Sequence, residues 1–347
     1  MKMPSPGLRR LAWAAAALAL VVIVFGAFVR LSNAGLSCPD WPTCYGKLTW
    51  PQHAHEIAHA DAMFPQRPFE ADKAWREQAH RILVGVLSLL TFALAGWAWW
   101  RRRDLGHLVL VPYAAAGFIF FQAALGMWTV TWKLLPLVVT SHLVGGMAMF
   151  ALLAYTALRL TIPVIPKMDP VSSQVPVPHG TIASCDRLRR MTIAGIVLVA
   201  IQIALGGWTS SNYAALSCAT DFPTCLGRWW PPTDFHQAFI FLRHIGVDYE
   251  GGVLDGPART AIQLVHRIGA LVVFGHVLAT AIRAFRTSPL RNYGIAVGIL
   301  LTVQVCLGIS NVVFGLPLPV AAAHNLGAAL LLFSLLALLV RLRPAPR

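Results

Sequence analysis

Eight apolar runs, each about as long as a helix that crosses a bilayer, constrain this chain more than any other feature. They lie near residues 11–31, 78–100, 108–130, 138–160, 191–211, 261–283, 293–313 and 317–340. A helix needs ~20 apolar residues to span hydrocarbon, and within lipid every backbone N–H and C=O must be satisfied inside the segment. Only 12% of residues are charged, roughly half the share usual in a soluble domain. The expected fold class is an all-α polytopic membrane protein of eight transmembrane helices.

The net charge of +14 does not point to nucleic acid, because the basic residues are not gathered into one soluble domain with interleaved aromatics. They sort by side instead. Lys2, Arg9 and Arg10 precede the first run, Arg101, Arg102 and Arg103 follow the second, and Lys167, Arg187, Arg189 and Arg190 separate the fourth and fifth. Arg283, Arg286 and Arg291 lie between the sixth and seventh, and Arg341, Arg343 and Arg347 close the chain. The positive-inside rule places all of these in the cytoplasm, with both termini. The first run follows a basic segment as a signal peptide would, but it exceeds a typical signal core and has an internal counterpart, so it is read as retained.

That counterpart belongs to a repeat. Shifting the chain by about 180 residues lays Phe25-Gly26 through Cys38 on Leu205-Gly206 through Cys218, and Pro42-Thr43-Cys44 on Pro223-Thr224-Cys225. His80-Arg81 falls on His266-Arg267, and Gln122 to Gly126 on Gln304 to Gly308, with a further Gln202 to Gly206. His142 and His324 each stand 20 residues beyond their glutamine. The implied organisation is two tandem pseudo-symmetric four-helix bundles: an N-terminal one over 1–160, a cytoplasmic linker over 161–190 rich in proline (Pro163, Pro166, Pro170, Pro176, Pro178), and a C-terminal one over 191–347.

Two long loops, near 32–77 and 212–260, fall on the outer side and can cover a site there. They hold four of the six cysteines at matching positions, Cys38 with Cys44 and Cys218 with Cys225. On the non-cytoplasmic side these pairs are disulfide candidates, as structural staples or as redox participants. Cys185 and Cys306 have no repeat counterpart and read as free thiols. His53, His55 and His59 cluster in the first loop, where the alternatives are a metal site and a solvated segment.

His80, His142, His266 and His324 occur once per even-numbered run, each a few residues from its outer end. Ionisable groups inside a membrane are costly, face the bundle interior and mark functional sites. Two imidazoles from neighbouring helices can hold an iron porphyrin between them. The simplest pairing is His80 with His142 and His266 with His324, all four as axial iron ligands. Arg81 and Arg267 follow two of them directly, placed either for porphyrin propionates or to snorkel. Glu77 stands one helical turn before His80, where the second half has Gln263; it is either a proton-transfer group or a carboxylate favoured near a helix N-terminus. His276 lies ~15 Å deeper than His266 along its helix, has no repeat partner and reads as packed or hydrogen-bonded.

Taken together, these motifs resemble the haem A synthases of bacteria and mitochondria. The resemblance rests on eight helices in two repeated bundles, a histidine at the outer end of each even helix, Glu-x-x-His-Arg at Glu77 to Arg81 and paired outer-loop cysteines, and it covers nearly the whole chain. It implies a multi-pass protein of the bacterial cytoplasmic membrane, an oxidoreductase that converts a methyl group of haem O to the formyl group of haem A through hydroxylation. It further implies a haem b cofactor held by His266 and His324, with Arg267 beside it. His80 and His142 would then hold the substrate haem O, with Glu77 as the catalytic acidic residue. Cys38 and Cys44 match the family's functional pair; Cys218 and Cys225, in a loop one residue longer, match it less closely. Implied partners are the haem O synthase prenyltransferase, membrane lipid, an electron donor or acceptor the sequence does not name, and a second copy in a homo-oligomer. Two other classes use the same histidines: a di-haem b-type cytochrome that carries electrons, and a membrane protein that handles haem without chemistry.

Overall fold

The computed structural model describes residues 5–162 and 180–343. Its helices are α1 (Pro6–Leu31), α2 (Ala54–Met63), α3 (Ala71–Trp100), α4 (Arg102–Leu105), α5 (Leu110–Thr131), α6 (Pro136–Thr161), α7 (Gly180–Ser211), α8 (Phe235–Ala238), α9 (Gly256–Phe285), α10 (Arg291–Val313) and α11 (Leu318–Arg341). Among the described residues there is no β-strand, only two isolated bridges, Cys44 with Lys47 and Cys225 with Arg228. Among the described residues eight helices are long and apolar enough to cross a membrane: α1, α3, α5, α6, α7, α9, α10 and α11. The proline-rich stretch from Pro163 to Pro178, with Lys167, lies outside the described residues, as do Lys2 and Arg347.

The apolar runs mark the spans, but several helices begin earlier than hydropathy suggests. α3 starts at Ala71 rather than near 78, α7 at Gly180 rather than near 191, and α9 at Gly256 rather than near 261. Hydropathy ends where charge begins, whereas backbone hydrogen bonding continues until a cap stops it. At α9 that cap is Asp255, whose side chain accepts from Ala258 N at 3.0 Å, with Pro257 in the first turn where its missing N–H costs nothing. Ser5 caps α1 in the same way, followed by Pro6.

The four odd-numbered spans end alike. After α1, α5, α7 and α10 the chain turns through left-handed residues, Asn33, Lys133 with Leu134, Tyr213, and Gly315 with Leu316. In each case an N–H returns to a carbonyl five residues back: Ala34 to Val29 at 3.0 Å, Leu134 to Thr129 at 2.8 Å, Ala214 to Thr209 at 2.9 Å and Leu316 to Asn311 at 2.7 Å. These returns satisfy carbonyls that helix termini leave open.

Helix contacts close two rings. α1 packs on α3, α3 on α5, α5 on α6 and α6 back on α1; α7, α9, α10 and α11 repeat the circuit. The rings meet through α1, α6, α7 and α11. α1 carries Ala12, Ala15, Ala16 and Ala19, all buried, at helical spacing, and such small residues let backbones approach where lipid offers no hydrophobic drive. α11 is the most enclosed span and α10 the least. His276 on α9 is hydrogen-bonded, its Nε2 lying 2.9 Å from Met191 O on α7.

Candidate functional site

The histidines and Glu77 sit towards the side bearing the two long connections. Glu77 is the seventh residue of α3, past the first turn, and is 5% exposed. Its Oε2 accepts from Cys38 N at 2.8 Å and lies 3.0 Å from Ser37 Oγ, and its Oε1 accepts from Arg81 Nη2 at 2.5 Å. Such charge-assisted bonds hold a carboxylate in one rotamer. Ser37 Oγ also lies 2.7 Å from Ala34 O. A hydroxyl has one proton to give, so Ser37 donates either to Ala34 O or to Glu77. Ser37 borders a cleft of about 170 Å³ shared with Glu70, Lys73 and Glu250.

Both cysteine pairs are bridged, Cys38 to Cys44 and Cys218 to Cys225, while Cys185 and Cys306 are free. Each bridge closes a loop organised by an aspartate. Asp40 accepts from Tyr45 N at 2.6 Å and Gly46 N at 2.8 Å, and also bonds the Thr43 hydroxyl. In the second loop Asp221 accepts from Gly227 N and from Thr224 Oγ1, both at 2.7 Å. The Gly227 N–H, then the Thr224 hydroxyl, hold the Asp221 carboxyl below its ordinary value. Gly46 and Gly227 have φ of 75° and 73°, which glycine adopts without steric cost. Burial pushes the Tyr45 hydroxyl up to about 12; this phenol stays neutral and donates to Arg67 O at 2.9 Å.

The two arginines beside the histidines clasp these loops. Arg81 donates to Asp40 O at 2.8 Å and Thr43 O at 2.6 Å as well as to Glu77. Arg267 donates to Thr224 O at 2.8 Å and Asp221 O at 2.9 Å. The sequence offered propionate pairing or snorkelling for these residues and missed the clasp. A signal for it was available: both repeats place His-Arg and a disulfide loop together. The long connections are also tied to each other, since Arg67 reaches Asp248 at 2.6 Å and Glu250 at 2.8 Å.

Each histidine faces a glycine on the neighbouring helix. A Cβ on Gly26, Gly126, Gly206 or Gly308 would stand 2.8, 3.2, 3.3 or 3.1 Å from Cε1 of His80, His142, His266 or His324 respectively. His80 has His142 as an electrostatic neighbour, and His266 has His324. Three rings also meet a glutamine: Gln122 Nε2 lies 3.2 Å from His142 Nδ1, Gln202 Nε2 3.1 Å from His266 Nδ1, and Gln304 Nε2 3.4 Å from His324 Nε2.

Most of the chain is similar in sequence to known proteins. Residues 9–336 match the COX15-CtaA family, described as cytochrome oxidase assembly protein. The chain belongs to that family. It is 42% identical over 316 residues to a protein of Shewanella oneidensis named heme A synthase, covering 91% of each. It is 28% identical to a heme A synthase of Methylobacterium nodulans, over 91% of this chain and 87% of that one. For the heme A synthase of Paracoccus denitrificans the identity is 27%, over 89% and 81%.

In this COX15-CtaA protein the residues fit a bound porphyrin. Buried polar atoms without a partner lie on and opposite the histidine helices: Nδ1 of His80 on α3 and of His324 on α11, Oε1 of Gln263 on α9, and Oε1 of Gln122, Gln202 and Gln304 on α5, α7 and α10. Buried polar groups are normally satisfied, and ligated imidazoles use such acceptors. His53, His55 and His59, expected in a loop, lie at the N-cap of and on the short helix α2, where the rings of His53 and His55 stack at 5.9 Å. Among the described residues no group of three or more His, Cys, Asp or Glu is placed to hold a bare metal ion.

Proposed function

We propose that this protein is a haem A synthase that oxidises a methyl group of haem O to a formyl group. The observation that carries the reading is the buried Glu77, held by Cys38 N, Ser37 and Arg81 one helical turn from His80, where the second half has Gln263. The full-length similarity to proteins named heme A synthase supports it. The N-terminal ring, residues 1–160, takes the substrate haem between His80 and His142. The C-terminal ring, 191–347, holds haem b between His266 and His324, and 161–190 joins them. The protein lies in the bacterial cytoplasmic membrane with both termini inside, as its arginines distribute.

Haem b, when bound, supplies electron transfer, which side chains cannot. The chain's own residues position and move protons. With water as the source of the oxygen atom, conversion of a methyl to a formyl group releases four protons and four electrons, the electrons leaving to an external acceptor, so a carboxylate beside the reacting porphyrin has a proton-transfer task that an amide lacks. Glu77 takes the proton at Oε2, and the Ser37 hydroxyl turns from Glu77 to Ala34 O as it does so, linking the carboxylate to the cleft of Glu70, Lys73 and Glu250. Arg81 and Arg267 keep the two disulfide loops seated over the rings. Arg267 thereby acts at the cofactor site through the loop it holds.

Purified protein supplied with haem O and an electron acceptor, followed by pigment extraction and mass spectrometry, tests the reading. Hydroxylated and formylated products are expected. Unchanged haem O with quinol-dependent haem reduction assigns an electron carrier instead, and unchanged haem O with no reduction assigns a haem-handling protein. Haem O synthase as a delivery partner is tested by co-purification.

A further inference from the structure

We propose that Gln122, Gln202 and Gln304 are positioning residues that fix the ring plane and the proton of His142, His266 and His324, leaving His80 as the one adjustable haem ligand. The proposal rests on the reading that these histidines hold haem. A four-residue unit recurs three times: a glutamine four residues before a glycine on one helix, facing a histidine three residues before a second glycine on another. Its members are Gln122 and Gly126 with His142 and Gly145, Gln202 and Gly206 with His266 and Gly269, and Gln304 and Gly308 with His324 and Gly327. The second glycine leaves the space that the glutamine amide fills. A Cβ on Gly145, Gly269 or Gly327 would fall 2.1, 2.4 or 2.2 Å from the glutamine Oε1, so any larger residue would push the amide off the histidine.

The fourth unit is broken. The repeat puts Val22 where Gln202 stands and Leu83 where Gly269 stands. His80 retains Gly26 against its Cε1 and has Phe25 stacked at 6.4 Å, and its Nδ1 is buried without a partner. A hydrocarbon side chain at position 22 offers no hydrogen bond, so nothing in the unit sets the turn of the His80 ring.

The chemistry of the three glutamines explains their form. Their amide nitrogens face the ring, and for Gln122 and Gln202 also the histidine's own carbonyl, at 2.6 and 2.9 Å, while Oε1 of all three is buried with no donor. A histidine that gives Nε2 to iron carries its proton on Nδ1 and needs an acceptor there. Turning the side-chain amide brings the unpaired Oε1 to that proton; for Gln304 nothing opposes the turn, whereas for Gln122 and Gln202 it gives up the N–H bond to the histidine carbonyl and is accompanied by a shift of the side chain that keeps Oε1 off that oxygen. The His324 ring is turned end for end, with Nε2 towards Gln304 and Nδ1 unpartnered, and a flip of the ring gives it the same partner. Three ligands are thus braced and the ligand beside Glu77 is not, which lets the substrate haem alone bind and leave.

The test uses the purified full-length protein with its bound haem. Gln202→Met and Gln304→Met are expected to raise the midpoint potential of the low-spin haem, change its g values, and weaken haem retention about 10- to 100-fold, as loss of an outer partner of a ligated histidine does. Gln202→Glu, a stronger acceptor, is expected to lower the potential. The double variant Val22→Gln with Leu83→Gly is expected to slow release of the first-site haem about tenfold or more. Unchanged potential and g values in the three glutamine variants overturn the brace. Should Gln202→Met not fold, Gln202→Glu reads the same bond, and an unchanged potential there is decisive against it. Wild-type protein lacking any bis-histidine low-spin signal overturns the underlying haem reading itself, which separates the two failures.

Discussion

The backbone N–H of Cys38 donates to Glu77 Oε2 at 2.8 Å, so the first residue of a disulfide loop is anchored on the carboxylate proposed to move protons. Glutamine at position 77 keeps an oxygen for that N–H but cannot accept and release a proton. Glu77→Gln is therefore expected to retain haem while formyl production falls by about 10²- to 10⁴-fold, the usual share of general acid–base catalysis. Pigment analysis beside haem content checks it. Haem A formation at the wild-type rate would remove Glu77 from the chemistry.

Arg267 donates to two well-placed carbonyls of the second disulfide loop, and a charged donor contributes about 1.5–3 kcal/mol per such bond. Arg267→Ala is expected to raise amide exchange across residues 218–228 at neutral pH, with exchange in α10 unchanged. Lysine should restore little, because a single ammonium does not reproduce the planar fork. Wild-type protection in Arg267→Ala would mean that the disulfide alone holds the loop.

Arg67 joins the two long connections through Asp248 and Glu250, yet its side chain is 34% exposed, as are its partners at 45% and 32%. Ion pairs this open contribute at most about 1 kcal/mol. Arg67→Ala should leave the melting temperature nearly unchanged and increase proteolysis of both connections. Raising salt to about 1 M, where the Debye length is ~3 Å, should reproduce that in the wild type. A large drop in melting temperature would show that the tie is structural.

The spans were legible in the sequence because hydrocarbon imposes length and polarity on every one of them, and the Cys38 and Cys218 bridges because the repeat aligned their partners. Helix starts were less legible: Asp72, Lys73 and Arg76 end the apolar signal of α3 without ending its hydrogen bonding. The arginine clasps and the Arg67 tie are tertiary, made between segments 38 to 183 residues apart, and no local pattern encodes them. The glutamines did appear as repeat landmarks. What they touch required the distances, since a Gln-x-x-x-Gly spacing says nothing of the ring across the groove.

Acid should loosen the second disulfide loop late. Asp221 is held below its ordinary value of 3.8 by Gly227 N–H and Thr224. A depressed carboxyl contributes its stabilisation in full above the unfolded value and loses it as pH falls through the folded one. Exchange protection at residues 218–228, corrected for intrinsic rate, should hold from pH 7 to about 4, near the reference aspartate value, and fail below it. Asp221→Asn should abolish the dependence. Loss of protection already at about pH 6 would assign it to another group.

Gly26 and Gly206 occupy equivalent places, but their tolerance should differ. A Cβ at 26 would stand 2.8 Å from His80 Cε1, closer than real contacts allow, whereas at 206 it would stand 3.3 Å from His266 Cε1, where a shift of a few tenths of an ångström suffices. Overpacking of this kind costs about 1–3 kcal/mol. In Gly206→Ala the brace from Gln202 also resists movement of the ring, while in Gly26→Ala nothing returns His80 to its place. Gly26→Ala is therefore expected to weaken haem O binding about tenfold or more, with the potential of the resident haem unchanged, and Gly206→Ala to leave haem b bound with a small spectral shift. Titration of each variant with haem O, alongside haem b content, measures both. Equal losses at the two sites would mean that the four histidines are equally held and that the asymmetry between Val22 and Gln202 has no mechanical consequence.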